Sequence, residues 1–347
     1  MFNTPDTTDE ARFRHSAGQA SDDPEKPGRR KHRPWRVALF TFGALLGLVI
    51  VAALGSFAYV NHVVTSIPRL RVAHLVAASS SSLDGQTFLI TSYPQGPTGT
   101  TSPTAAQSKY SDLVMLLHTN ANGKGGGAVT IPGNVIVDVP GAGREPLWNT
   151  MTKGGPSLLV QTVTQFTGIP VNHYAQLDFT HIASLVDAIG GIDVTVPAAT
   201  KGFGYKFVKG VNHLTGVTAI YYGRDPSISD QDRLLRQENL VRTVVTKIAN
   251  DHLLTNPVTM VHVLNAITSM LAVDSNFTNS DIESLARQFG KLTADAATFV
   301  TAPTQAASGG RVLNTTLADQ LWTAVKHDSI AAFAKKYPST VAPIATP

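Results

Sequence analysis

The sequence predicts an α/β domain, in which a sheet is covered by helices on both faces, preceded by one transmembrane helix. Two observations predict this class. Residues 37–60 form an uncharged apolar run of 24 residues, long enough to span a bilayer with some tilt. After that run, strand-like segments alternate with segments whose apolar residues recur at helical spacing. The overall hydrophobic share of 43% also leaves enough apolar side chains for a large core outside the run.

The charges that flank the apolar run predict its orientation. Six Lys and Arg residues lie between positions 26 and 36, whereas few basic residues follow the run closely. This asymmetry places the N-terminus in the cytoplasm and the main domain outside the cell membrane, as a single-pass protein. A buried core helix is the alternative for the run, but no charged residue interrupts it.

Changes in composition predict the domain organisation. The expected segments are a disordered cytoplasmic tail at 1–36, the transmembrane helix at 37–60, a connector at 61–85, the extracytoplasmic domain at 86–335 and a C-terminal tail at 336–347.

The elements of the domain follow from periodicity and turn residues. We predict strands at 87–91, 113–118, 128–131, 135–139, 174–177 and 192–196. We predict helices at 70–78, from the opening Gly154-Gly155-Pro156 to a stop at Gly168, from a Thr180 cap to Gly190, and at 232–251, 258–271, 280–292 and 316–325.

The charge balance argues against a nucleic-acid partner. Residues 1–36 hold eight Lys and Arg against six Asp and Glu, and the remaining chain holds twenty against eighteen. The main domain is therefore nearly neutral and has no basic stripe. The absence of cysteine excludes disulfides, thiolate metal sites and a cysteine nucleophile.

A group of arginines around the start of the predicted 232–251 helix is the first candidate site. Arg233 and Arg236 are three residues apart, so they share one face of the first turns, and Asp230 is a candidate cap. Arginines beside the free amides of a helix N-terminus favour an anion such as phosphate. The alternative is a surface ion-pair lattice in which Asp232 and Glu238 neutralise the arginines.

Asp112, directly before a buried strand, is the second candidate. A carboxylate at a strand edge can hold Mg²⁺ through oxygen. A lone Asp in this position is also common as a turn or capping residue.

Five segments, in this order and spacing, resemble the LytR-CpsA-Psr family of envelope proteins. They are SDLVMLLHTN, VTIPGNVIVDVPG, LWNTMTKGGPSLLVQTVTQFTGIPVNHYAQLDFTHIASLVDAIGGIDVTVP, LTGVTAIYYGR and DQDRLLRQENL. The resemblance covers residues 87–248, with family-like helices onward to about residue 326. It implies a three-layer α/β/α domain with a central mixed sheet. It also implies Mg²⁺-dependent phosphotransfer of a glycopolymer from a polyprenyl-pyrophosphate carrier to peptidoglycan.

The resemblance implies roles for the residues that this chain keeps. Asp112 corresponds to a metal-binding and catalytic Asp. Arg224 and Arg233 correspond to catalytic and substrate-binding arginines, and Arg236 and Gln237 to further substrate-binding residues.

Other positions depart from the family pattern. Gly133 and Asn134 stand where the family has a phosphate-binding Arg and a second metal-side Asp. Tyr110 replaces an Arg, with Lys109 one place earlier as a possible substitute for binding substrate. Asn134 still offers Mg²⁺ a carbonyl oxygen, although a weaker one than a carboxylate.

These departures leave two functions open. The first is an active glycopolymer phosphotransferase with a weakened site, because removing one charge-stabilising group commonly costs about two to three orders of magnitude in rate. The second is a non-catalytic member that binds polyprenyl phosphate or acts as a scaffold. A peripheral regulator of envelope stress is a third class that the sequence does not exclude.

Overall fold

The computed structural model describes residues 59, 61–77, 83–92, 113–123, 125–178, 181–225, 227–251, 256–282, 284, 297–308 and 310–341. The chain divides into two compact units, 1–54 and 55–347, and every described residue belongs to the second. The predicted cytoplasmic tail, and the predicted transmembrane helix except Tyr59, lie outside the described residues. None of the helices in the described ranges combines the length and the hydropathy needed to cross a bilayer.

The strands within the described ranges are numbered in chain order. They are β1 (Arg69–Leu70), β2 (Thr87–Ser92), β3 (Leu113–Thr119), β4 (Gly126–Pro132), β5 (Ile136–Val139), β6 (Gly143–Pro146), β7 (His173–Leu177), β8 (Ile192–Val196), β9 (Thr200–Gly202), β10 (Tyr205–Phe207), β11 (Gly210–Leu214), β12 (Leu271–Asp274), β13 (Ala297–Thr301), β14 (Thr304–Ala307) and β15 (Gly310–Leu313).

The helices are numbered in the same way. They are α1 (Asn149–Lys153), α2 (Gly155–Thr167), α3 (Ile182–Ala188), α4 (Gly216–Gly223), α5 (Asp230–Asn250), α6 (Pro257–Met270), α7 (Thr315–Lys326) and α8 (Ile330–Lys336).

Seven strands form one central sheet in the order β1-β12-β7-β2-β3-β4-β13. The pairs β1/β12, β2/β7 and β4/β13 are parallel, and the other three neighbouring pairs are antiparallel. The sheet is therefore mixed, as predicted. Three short antiparallel pairs, β5/β6, β8/β11 and β14/β15, and the β9/β10 hairpin lie outside it.

Two hydrophobic cores lie on opposite faces of the sheet. Side chains alternate along β3, so that Val114 and Leu116 enter one core while Leu113 and Met115 enter the other. Helices α2, α7 and α8 pack on the first face, and α3, α4, α5 and α6 pack on the second. The α/β class with helices on both faces is confirmed.

Local chemistry fixes the ends of two helices. Gly168 ends α2 in the left-handed region at φ 64°, which confirms the predicted stop because glycine has no Cβ to clash there. Ser229 caps α5, since its hydroxyl accepts a hydrogen bond from the Asp232 amide at 3.1 Å. The prediction that Asp230 caps this helix is wrong, because Asp230 is already its first residue. The predicted Thr180 cap lies outside the described residues.

The connector differs from the prediction. No helix is present over residues 70–77; instead β1 pairs in parallel with β12 at the edge of the sheet. Backbone hydrogen bonds offered by that edge outweigh a weak helical propensity. Most of the predicted helix at 280–292 lies outside the described residues.

Candidate functional site

The first two turns of α5 separate two different environments. Gln231, Leu234 and Leu235 face a recess of about 450 Å³, a volume that includes its opening to solvent. Arg233 and Arg236 instead make contacts with the segment that leads out of α4. Successive side chains of a helix point about 100° apart, so residues of the same two turns contact both the recess and the segment that leads out of α4.

Arg236 is completely buried in the second environment. Its guanidinium donates to the Tyr222 carbonyl at 3.3 Å and lies 3.6 Å from a carboxylate oxygen of Asp225. It also stands 5.0 Å from the ring centre of Tyr222 and 5.8 Å from that of Phe207. Burial lowers the pKa of Arg236, and the nearby Tyr222 and Asp225 oppose that effect. These contacts give Arg236 a structural role, and its predicted contact with substrate stays a prediction.

Arg233 and Gln237 hold the same segment by its backbone. Arg233 is buried and donates to the Asp225 carbonyl at 3.5 Å, while the Gln237 amide donates to the Gly223 carbonyl at 3.1 Å. Arg233 and Arg236 are both buried, so they do not belong to an ion-pair lattice on the surface. One acidic group close to Arg236 is Asp225, a buried residue that precedes the helix.

Arg224 differs from the other two arginines. It follows α4 directly and is partly exposed. Its side chain makes no hydrogen bond or ion pair with any residue that the structure describes. Among the three predicted arginines, Arg224 is therefore the one whose charge is available to a ligand.

Gly133 and Asn134 form the turn between β4 and β5 and line the same recess as the start of α5. The Asn134 Oδ1 atom is buried and has no hydrogen-bond partner within the described ranges. A buried carbonyl oxygen without a partner is costly, which makes it a plausible contact for a ligand or an ion. Trp148 completes the apolar wall beside this turn.

Sequence reasoning missed one charged residue of this recess. It is Arg311 on β15, which lines the recess together with Gly133 and Asn134. Its position near them is created by tertiary structure, and no motif marks it in the sequence.

Glu238 on α5, which the sequence suggested only as a surface ion-pair partner, is a fully buried carboxyl that accepts a hydrogen bond from Thr301 at 3.0 Å. Burial raises the pKa of Glu238, and the Thr301 hydrogen bond opposes the rise. Thr301 itself lines the recess, so Glu238 lies directly behind its wall.

Two predicted site residues, Asp112 and Lys109, lie outside the described residues. Across the described part of the chain, no group of three or more acidic or histidine side chains is arranged to hold a metal ion. The recess thus brings together Gly133, Asn134 and Arg311, whereas Arg233, Arg236 and Gln237 lie against the segment that carries Arg224.

Comparison with known proteins identifies relatives. Residues 79–336 match the model of the LytR_cpsA_psr family. One curated relative is the polyisoprenyl-teichoic acid–peptidoglycan teichoic acid transferase TagU of Enterococcus faecalis, 29% identical over 194 residues. That alignment covers 53% of this chain and 62% of the relative, so the chain spans less than two thirds of the relative's length.

Solved structures of similar fold include TagV of B. subtilis and the LytR-Csp2A-Psr enzyme from Actinomyces oris. TagV aligns with a TM-score of 0.56 at 18% identity, over 72% of this chain and 98% of TagV. The A. oris enzyme aligns with a TM-score of 0.55 at 21% identity, over 80% of this chain and 98% of that chain. At these identities the likeness concerns the fold.

Proposed function

The chain belongs to the LytR_cpsA_psr family, and we propose that it attaches a cell-wall glycopolymer to peptidoglycan by phosphotransfer from a polyprenyl-pyrophosphate carrier. The E. faecalis relative is named as a transferase that joins teichoic acid to peptidoglycan, and this similarity supports the proposed class of reaction. The structural observation that carries the proposal is Arg224, a cation with no protein partner in the described ranges, beside the helix that bears the family's arginine motif.

The proposed reaction moves one phosphoryl group. An acceptor hydroxyl of peptidoglycan attacks the phosphorus that carries the glycopolymer, and the bond to the bridging oxygen breaks. Polyprenyl phosphate leaves with that oxygen, and the proton of the hydroxyl passes to a base or to solvent. Negative charge grows on the bridging oxygen, and fixed cations lower the barrier by stabilising it.

The proposed roles of the arginines and Gln237 follow from how exposed each side chain is and from what it contacts. Arg224 binds the pyrophosphate directly, since its guanidinium is partly exposed. Arg233 and Gln237 hold the backbone from Gly223 to Asp225 and so position Arg224. Arg236 supports the same segment from beneath. Lys109 is proposed as a further contact to the substrate.

Mg²⁺ is proposed as the metal, held by Asp112 and Asn134. The buried Oδ1 of Asn134 without a protein partner fits this assignment, because hard cations take carboxylate and amide oxygens. When bound, the ion would neutralise charge on the phosphate oxygens.

The proposed location is the cell membrane, with the N-terminus in the cytoplasm and the domain outside. The apolar run at 37–60 and the basic residues before it support this topology. A lipid-linked substrate in the outer leaflet would then lie within reach of the domain.

A non-catalytic, lipid-binding or scaffolding role is the second candidate. Gly133 and Asn134 favour it, because they remove a cation and a carboxylate from the family pattern. Such a protein would bind the carrier without releasing polyprenyl phosphate.

One assay separates the two. Purified full-length protein is incubated with a lipid-linked glycan and peptidoglycan, with and without Mg²⁺, and release of polyprenyl phosphate is measured. We expect Mg²⁺-dependent release by the wild type and its loss in Asp112→Asn without a change in melting temperature. Release only by the double variant Gly133→Arg, Asn134→Asp would establish the second candidate, and no release by either protein would contradict transferase activity.

A further inference from the structure

Arg311 lies beside the turn at which the proposed site lacks a cation. Its strand β15 runs beside the turn after β4, with a backbone bridge between Arg311 and Val135. The side chain lines the same recess as Gly133 and Asn134. Gly133 is the position at which an arginine is missing relative to the family pattern.

The partners of Arg311 are all neutral. Its guanidinium donates to the Thr304 hydroxyl at 2.8 Å, to the Thr304 carbonyl at 3.3 Å and to the Gln231 side-chain oxygen at 3.4 Å. Within the described ranges no carboxylate lies within ion-pair distance of it. These contacts hold the guanidinium in place between β14 and the first turn of α5 without neutralising its charge.

Other cations of the domain contrast with this arrangement. Arg236 contacts Asp225, Lys153 contacts Glu145 and Lys247 contacts Asp251. Arg311 is half-buried, so its charge is less well solvated than that of a surface residue. A fixed, partly desolvated and unneutralised arginine favours an anionic ligand.

The recess beside Arg311 indicates the chemistry of that ligand. Leu234, Leu235 and Trp148 form apolar walls, while Arg311 and Gln231 add polar groups at one side. This combination fits an anionic head together with the first carbons of an apolar chain, because the recess is too small to enclose a longer one. A free sugar phosphate would leave the apolar walls in contact with water.

We infer that Arg311 on β15 is an anion-binding residue that replaces the arginine missing at Gly133 in the turn after β4, and that its ligand is the pyrophosphate of a polyprenyl carrier. This inference rests on the proposed function for the identity of the ligand. The alternative is that Arg311 only fastens the β14–β15 hairpin to α5.

The test moves the positive charge from Arg311 on β15 to position 133 in the turn after β4. The backbone at Gly133 does not have a positive φ, so an arginine there needs no strained conformation. The full-length protein in detergent is titrated with farnesyl pyrophosphate, with farnesol as the uncharged probe. The variants are Arg311→Gln, Arg311→Lys, Arg311→Gln combined with Gly133→Arg, and Arg144→Gln as a control at an exposed arginine of β6.

We expect Arg311→Gln to weaken binding of farnesyl pyrophosphate by about tenfold or more, and to leave farnesol binding unchanged. Arg311→Lys should retain most of the affinity, adding Gly133→Arg should restore it, and Arg144→Gln should match the wild type. If Arg311 only fastened the hairpin, an arginine at position 133 would not restore the binding of farnesyl pyrophosphate.

Three results would overturn the inference. Arg311→Gln could bind farnesyl pyrophosphate as the wild type does, it could lose farnesol equally, or Gly133→Arg could fail to restore the loss. If polyprenyl phosphate is still released in the assay above, the proposed function stands without Arg311. If the folded wild type neither binds farnesyl pyrophosphate nor releases polyprenyl phosphate, the proposed function fails as well.

Discussion

Replacing Arg236 by alanine should destabilise the domain strongly, whereas the same change at Arg224 should not. Both residues belong to the arginine group that the sequence singles out, yet the structure gives them opposite surroundings. Arg236 is fully buried between Tyr222, Phe207 and Asp225, and Arg224 is partly exposed. The free energy of unfolding therefore distinguishes Arg236, which has a structural role, from Arg224, whose charge is available to a ligand.

The size of the expected loss in stability depends on Asp225, the charged partner that remains buried after Arg236→Ala. Removing one member of a buried ion pair costs about 3–5 kcal/mol, because the other charge remains buried without compensation. Asp225 is 1% exposed, but its second oxygen accepts hydrogen bonds from the amide and hydroxyl of Ser227 at 2.9 and 2.6 Å. Because these hydrogen bonds partly stabilise the Asp225 carboxylate, we expect Arg236→Ala to lower the free energy of unfolding by about 3 kcal/mol, the lower end of that range. Arg224→Ala should change the free energy of unfolding by less than about 0.5 kcal/mol.

Urea unfolding of the full-length protein in detergent, followed by tryptophan fluorescence, measures both changes. The wild type, each single variant, Asp225→Ala and the double variant Arg236→Ala, Asp225→Ala complete a thermodynamic cycle. We expect the double variant to lose less than the sum of the two single losses, since each single change leaves a buried charge alone.

A loss below about 1 kcal/mol for Arg236→Ala, or additive losses in the cycle, would refute this reasoning. Arg236 would then have to be reassigned to the ligand side of the site, where a binding measurement with farnesyl pyrophosphate should show its contribution directly.

Three further predictions concern other parts of the chain. Burial raises the pKa of Glu238, so the folded state holds that proton more tightly than the unfolded chain, and stability falls as pH rises above the ordinary carboxyl range. Glu238→Gln should therefore raise the melting temperature at about pH 7.5, and the difference from the wild type should vanish near about pH 4. Ser229→Ala should cost about 1 kcal/mol through loss of the α5 cap in urea unfolding, and a smaller loss than that of the matched variant Asp230→Ala would contradict the assignment. Protease added to intact spheroplasts should digest the domain and spare residues 1–36, and protection of the domain would contradict the predicted topology.

The fold was largely predictable because periodicity reports which faces are buried. The strands β2, β3, β4 and β7 and the helices α2, α5 and α7 lie close to their predicted positions. The connector and the strand partners were not predictable in this way. The edge strand β1 and the strands after α6 depend on pairing with residues distant in the sequence, and local patterns carry no information about such partners.

The site was predictable in its residues and less so in its geometry. The spacing of Arg233 and Arg236 places both on one helix face, but only the fold shows that this face is turned into the protein, towards Asp225. Arg311 lies beside the turn that contains Gly133 because its backbone forms a bridge with Val135, a residue far away in the chain. Motif reasoning compares positions along the sequence, so a compensating residue on another strand escapes it.

The order of strands in the central sheet has a consequence for how the protein folds during its synthesis. Arg69 of β1 pairs opposite Val273 of β12, and Gly126 of β4 pairs opposite Ala297 of β13. Contacts between residues so distant in sequence make folding slow, because a long loop must close before they form. Until residue 301 has been synthesised, the outer edge of β4 has no strand to pair with, and exposed edges of this kind invite aggregation. We therefore expect the nascent domain to remain sensitive to proteases and dependent on chaperones until nearly its whole length has been made.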